Sequence, residues 1–225
     1  MHVDVKICGL KTSEALDAAL AGAAAYVGFV FFPPSPRSLS VADAANLAER
    51  ARGKAKIVAL SVDADDALLG EIASVLKPDL MQFHGSETPA AVVSARETYG
   101  IPIMKAVKIG GRDDIDAASV YEDAADMLLF DAKPRPGEGL GLPGGNGVSF
   151  DWRLMAGLDL KVPVMLSGGL DPSNVAAAIS LSGVRAVDVS SGVESAPGVK
   201  DVNLIAAFLA TVKSAAEKEV KGVPA

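Results

Sequence analysis

The chain has 225 residues, 50% hydrophobic and 22% charged, with a net charge of −7 and one cysteine. A chain of that length buries enough apolar surface to need no disulfide or metal, and a lone thiol excludes an intrachain disulfide and suits a reducing, cytoplasmic setting. The acidic balance, without a basic run, argues against nucleic acid as the main partner, so an anionic ligand must be drawn by local donors rather than by the overall field.

The N-terminal MHVDVKICGL has no charged region leading into a signal-like apolar core. It opens with the first apolar run, Val3–Ile7, and Thr12 is placed to cap a helix over Glu14–Leu20. The uncharged stretch Ala18–Phe32 closes at Pro33 and Pro34 and is shorter than the roughly 20 residues of a membrane span. It reads as a helix end followed by a buried strand, Tyr26–Phe31, and no membrane association is expected. Ser40 starts a helix over Val41–Arg52; then come strand Ile57–Ser61, helix Asp66–Leu76 and strand Leu80–Phe83. Ser86 signals a helix at Pro89–Thr98, and strand Ile103–Val107 leads into a polar, Asp-rich segment where a further helix is placed. Strand Met127–Phe130, a long loop, a short helix at Trp152, strands Val164–Leu166 and Ala186–Val189, and helix Val202–Lys218 complete the chain.

Strands this short and apolar are those of a parallel sheet covered on both faces. Eight strand–helix units of about 28 residues predict an α/β chain, a (β/α)8 TIM barrel forming one domain over residues 1–225. An open doubly wound sheet is the competing architecture, but no Gly-x-Gly-x-x-Gly follows the first strand. No linker or low-complexity stretch divides the chain.

In a barrel the reactive groups sit at the C-terminal strand ends and the loops beyond them. Cys8 follows the first strand and precedes Gly9; an amide-rich helix start there would lower the thiol's pKa, whereas a lone cysteine elsewhere is usually a small buried hydrophobe. Asp131 ends the sixth strand, where an aspartate is either a turn residue or reactive, and the loop after it holds six glycines and three prolines before Trp152. So long a connection is a binding loop or lid, or else a surface insertion. Gly-rich turns follow strands seven and eight, at Ser167-Gly168-Gly169 and Ser190-Ser191-Gly192, where barrels hold phosphate on main-chain amides. Arg37, in the proline-stiffened PPSPRSLS, offers a fork suited to a carboxylate. His84 is either a hydrogen-bonded structural residue or a ligand contact, and Asp188 lies near the end of strand eight. No Cys/His/carboxylate cluster has metal spacing, so no metal is expected.

KICGL (6–10), GFVFFPPSPR (28–37), QFHG (82–85), LLFDA (128–132), GGNG (144–147), FDW (150–152), LSGGL (166–170) and VDVSSGVE (187–194) resemble, in order and over nearly the whole chain, the phosphoribosylanthranilate isomerases. The resemblance implies a cofactor-free Amadori rearrangement of a phosphorylated aminosugar in tryptophan biosynthesis, by a monomer or homodimer. It implies Asp131 as general acid and Cys8 as general base, Arg37 on the anthranilate carboxylate and His84 as a substrate contact. It further implies Asp188 on sugar hydroxyls, and Gly168, Gly169, Ser190, Ser191 and Gly192 on the phosphate. Lys11 precedes Thr12 where the family more often has Thr directly after KICGL, and Asn146 stands where Thr or Ser is usual. Ordinary pKa values oppose the acid and base roles, since an aspartate is ionised and a cysteine protonated at neutral pH. Two rivals follow from the residues: a Schiff-base lyase using Lys6 or Lys105, and a phosphosugar-binding protein without catalysis.

Overall fold

The computed structural model describes residues 2–133, 144, 147 and 149–221; Asn146 and most of the loop after Asp131 lie outside the described residues. Eight parallel strands close into a barrel in chain order. They are β1 (Asp4–Cys8), β2 (Tyr26–Phe31), β3 (Lys56–Ser61), β4 (Leu80–Phe83), β5 (Ile103–Ile109), β6 (Met127–Ala132), β7 (Val164–Leu166) and β8 (Ala186–Val189). Closure is made by β1 on β8, where Lys6 pairs with Asp188.

Side chains alternate across each strand, so one parity faces the barrel axis and the other faces the helices. Ile7, Phe29, Ile57, Phe83, Ile103, Phe130, Leu166 and Val187 belong to the outer core that the helices cover. Inside, Tyr26, Val58, Leu80, Met104, Leu129 and Met165 fill the lower barrel, and Cys8, Val30 and Leu60 form a layer above them. The same parity puts Lys6, Gln82, Lys108, Asp131, Ser167 and Asp188 on the axis side. One end of the barrel is thereby polar, and the other is sealed.

The helices are α1 (Ser13–Ala21), α2 (Val41–Ala48), α3 (Asp66–Glu71), α4 (Pro89–Tyr99), α5 (Arg112–Ala118), α6 (Val175–Ser182) and α7 (Val202–Lys221). Caps fix most of their starts. Thr12 accepts from Ala15 N and Ser40 from Asp43 N, each satisfying one amide that the first turn leaves orphaned. The α4 cap is Thr88 rather than Ser86, whose own amide donates to Asp63. α2 ends four residues short of Arg52, in turns, and α3 passes into a single π-helical turn, Ile72–Leu76, closed by left-handed Lys77. The Asp-rich segment does form α5, with the Asp114 carboxylate accepting from the amides of Gly110 and Gly111. Beyond the sequence reading lie α6, a hairpin of β9 (Glu194–Ala196) and β10 (Val199–Lys200) between β8 and α7, and single 3-10 turns at Ser119–Tyr121 and Ser191–Val193. α7 packs on both α1 and α6, closing the outer ring.

Candidate active site

A cleft opens over the C-terminal strand ends, with about 750 Å³ of empty space counted out to its mouth, within the size range of small-molecule sites. Cys8, Arg37, His84, Asp131, Asp188, Gly168, Gly169, Ser190 and Ser191 all line it, together with the apolar Val30, Phe32, Leu60, Val62 and Leu170. The ends of seven of the eight strands, far apart in sequence, thus meet because all the strands end at the same face.

On one side stands a buried polar column. Lys6, fully buried, donates to Asp188 Oδ1 at 2.8 Å, and Ser167 donates to Asp188 Oδ2 at 3.0 Å. Asp188 therefore faces the cleft with each oxygen already holding one partner. Burial alone would push the Lys6 pKa down, but Asp188 and Cys8 outweigh it and hold the ammonium above its ordinary range. A protonated, paired amine is the wrong state for a Schiff-base nucleophile. Lys105 is also excluded from that role, since it lies on the outer parity and donates to Gly85 O and Glu87. Cys8 sits above Lys6 at the end of β1, 3% exposed. Burial pushes its thiol up; Lys6 and Lys200 pull it down, and Asp188 adds to the rise, with the net effect upward. The expectation of a thiol lowered by a helix start is thus corrected: desolvation wins. Gly28 on β2 makes room for this column, because a Cβ there would lie 3.1 Å from Cys8 Sγ and 3.3 Å from Lys6 Cε.

Across the cleft, Asp131 Oδ2 meets Lys108 Nζ at 2.5 Å and His84 Nε2 at 3.1 Å, and Gln82 Nε2 lies 2.9 Å from His84 Nδ1. Burial by itself would raise the Asp131 carboxyl, but His84 and Lys108 hold it below its usual range. His84 is hydrogen-bonded, as one of the sequence's two readings has it, and it lines the cleft. Gly144, in the loop after Asp131, lies over the pair, with an added Cβ falling 3.1 Å from His84 Nε2. Of that loop, described Gly144 and Gly147 line the cleft.

Arg37 is buried, with Nε and Nη2 donating at 2.8 Å to the two oxygens of Glu194. Its stem lies against Gly9 (φ 79°), where a Cβ would fall 2.8 Å from Arg37 Cδ. Lys200, from β10, donates to Glu194 Oε1 at 2.7 Å and to the Ser190 carbonyl at 2.9 Å.

The two Gly-rich turns stand side by side. Gly168 (φ 92°) and Gly169 (φ 62°) need the left-handed backbone that glycine allows, and Asn174 holds the turn by donating to Gly169 O at 2.8 Å. Gly192 differs from its neighbours. It is not among the residues lining the cleft, and its missing side chain lets it press on the Leu170 carbonyl, locking the two turns together.

A family model described as N-(5'phosphoribosyl)anthranilate (PRA) isomerase matches residues 5–211. The chain belongs to that family. The N-(5'-phosphoribosyl)anthranilate isomerase of Sinorhizobium fredii is 55% identical over 215 residues, covering 96% of this chain and 95% of the relative. That of Rhizobium meliloti is 54% identical, covering 96% and 99%. Among solved structures, the phosphoribosylanthranilate isomerase of Thermotoga maritima has a TM-score of 0.83 at 33% identity, covering 94% of this chain and 99% of that one. A phosphoribosylanthranilate isomerase in complex with reduced 1-(o-carboxyphenylamino)-1-deoxyribulose 5-phosphate superposes with a TM-score of 0.81 at 31% identity, covering 94% and 99%.

In this isomerase-family barrel, sequence reasoning missed Gln82, Lys108, Ser167's bond to Asp188, and the Glu194–Lys200 pair. Parity held the signal for the first three: Gln82 is two before His84, Lys108 two after Ala106, and Ser167 two after Met165. Nothing local pointed to Lys200. Among the described residues no group of three metal-ligating side chains comes together, and no helix is long and apolar enough to cross a membrane.

Proposed function

We propose that this cleft isomerises N-(5'-phosphoribosyl)anthranilate to 1-(2-carboxyphenylamino)-1-deoxyribulose 5-phosphate, the Amadori step of tryptophan biosynthesis, without a cofactor. The observation that carries the reading is the meeting of Cys8 and Asp131 in one cleft that the pair of Gly-rich turns also lines. Gly168, Gly169, Ser190 and Ser191 hold the phosphate, with Gly192 supporting them from behind. Arg37 takes the anthranilate carboxylate, His84 contacts the substrate while orienting Asp131, and Asp188 meets the sugar hydroxyls.

Protonated Asp131 gives its proton to the furanose ring oxygen. The C1'–O bond breaks, and the nitrogen lone pair forms the C1'=N Schiff base. The Cys8 thiolate then takes the C2' proton, and the C2'–H electrons form a C1'=C2' bond while the C=N electrons return to nitrogen. The resulting enolamine loses its hydroxyl proton and gains one at C1', giving the ketone. C2' is oxidised as C1' is reduced, so electrons balance within one molecule.

The free site carries one proton between the two groups, which is the right number, but on the other partner: a thiol and a carboxylate. That arrangement is the one left after C2' proton removal. Turnover therefore starts once a proton has moved from Cys8 to Asp131, a shift that bound substrate favours by shielding Asp131 from Lys108 and by bringing the ring oxygen to the carboxyl. The test is direct assay of the purified protein, following loss of the substrate's anthranilate fluorescence. Turnover with formation of the ketose supports the reading; tight binding without turnover replaces it with a phosphosugar-binding role.

A further inference from the structure

The carboxylate of Glu194 takes no part in the chemistry above, yet its oxygens are fully engaged. Oε1 accepts from Arg37 Nε and Lys200 Nζ, and Oε2 from Arg37 Nη2 and Gly198 N. Four donors use up the roughly four lone-pair sites of a carboxylate, so Glu194 has no capacity for a ligand of its own. What it controls is the guanidinium. A planar arginine fork has a side edge, Nε–Nη2, and an end edge, Nη1–Nη2; Glu194 occupies the side edge with both bonds at 2.8 Å. The stem is pinned on Gly9, and Arg37 still lines the cleft. Two cations, Arg37 and Lys200, meet this one carboxylate, so the cluster carries one net positive charge behind the cleft wall.

We propose that Glu194 is a positioning residue that makes the cleft selective for an aminosugar bearing an aryl carboxylate, by holding the side edge of Arg37 so that its end edge meets that carboxylate. The inference rests on the isomerase reading and deepens it. It assigns Glu194 a role in specificity, with Lys200 as the second cation that keeps the carboxylate ionised and in place.

The experiment compares N-(5'-phosphoribosyl)anthranilate with the phosphoribosyl derivative of aniline, which lacks only the carboxylate. Wild type, Glu194→Gln and Glu194→Gln/Lys200→Met are assayed for kcat and KM on both. The single variant raises the buried cluster's charge by one, while the double variant restores the wild-type net charge and serves if the single one fails to fold. Wild type is expected to prefer the carboxylated substrate by roughly 10- to 100-fold in kcat/KM, the range of a hydrogen bond to a charged group. Both variants should cut that preference at least fivefold: Glu194→Gln through a raised KM for the anthranilate substrate with little change on the aniline derivative, and the double variant, which also loses the Lys200 bond to the Ser190 carbonyl beside the phosphate, through a KM raised on both substrates but more on the anthranilate one. Equal losses on both substrates with the preference intact, or a wild type that does not distinguish them, would overturn the proposal. A wild type inactive on the anthranilate substrate is a separate result and would remove the isomerase reading itself.

Discussion

Replacing Lys6 with methionine keeps most of the buried stem and deletes its ammonium, which is paired with Asp188 at 2.8 Å and fully buried. Asp188 is then left with Ser167 at 3.0 Å. Removing one partner of a buried pair costs about 3–5 kcal/mol, because the other charge stays behind uncompensated. With roughly 2–4 °C of Tm per kcal/mol for a chain of this size, the melting point should fall by about 6–20 °C. Lys6→Met/Asp188→Asn removes the stranded charge and should recover at least half of that loss. Urea and thermal unfolding followed by circular dichroism measure both. Lys6 is also the strongest influence pulling the Cys8 thiol down, stronger than the upward push of Asp188. The variant's thiol should therefore alkylate with iodoacetamide only at higher pH than wild type, and with one cysteine in the chain the signal is unambiguous. A stability loss below about 1 kcal/mol, no recovery in the double variant, or an alkylation profile that moves to lower pH would refute this account of the column under Cys8.

Three further outcomes follow. In the proposed mechanism the Cys8–Asp131 pair must hold one proton: below the Asp131 pKa it holds two and the base is lost, above the Cys8 pKa it holds none and the acid is lost. Since Asp131 lies below the ordinary 3.8 and Cys8 above the ordinary 9.0, neither group should add a limb to kcat/KM between those values while the protein stays folded, where the substrate phosphate alone titrates, at about 6; a further limb near neutrality would assign the chemistry to another pair. Gly28→Ala would place a Cβ 3.1 Å from Cys8 Sγ and 3.2 Å from its Cα; it should lower kcat at least tenfold and cost about 1–3 kcal/mol by overpacking, while wild-type kinetics would show that the thiol's position is not critical. Gly168→Ala puts a Cβ 2.5 Å from Ala132 N at a φ of 92°, so KM for the phosphorylated substrate should rise with stability falling by about 1–3 kcal/mol; an unchanged KM would move the phosphate elsewhere.

The eight strands were legible because each is a short apolar run buried on both faces, and their ends alone were enough to single out Cys8, His84, Asp131 and Asp188. Helices were read where charge marks one face. α6, VAAAISLS, carries no charge at all, so no amphipathic period announces it. The hairpin after β8 is three and two residues long, too short for any pattern, and with it Lys200 was invisible. Arg37 was found, but not its burial, which depends on Glu194, 157 positions away. The pKa directions were out of reach for the same reason: burial and the choice of ionic neighbour are tertiary facts. Local composition placed Cys8 at a helix start; the fold placed it between apolar walls above a lysine.

The central claim is that the Cys8 sulfur takes the C2' proton from a substrate whose ring Asp131 has opened. Turnover of substrate deuterated at C2', in wild type and in Cys8→Ala, tests it most directly. The account predicts a loss of about 10²–10⁴-fold in kcat for Cys8→Ala, the span of one placed acid–base group, with KM nearly unchanged and a larger deuterium effect than in wild type. Cys8→Ala turning over at the wild-type rate would contradict it.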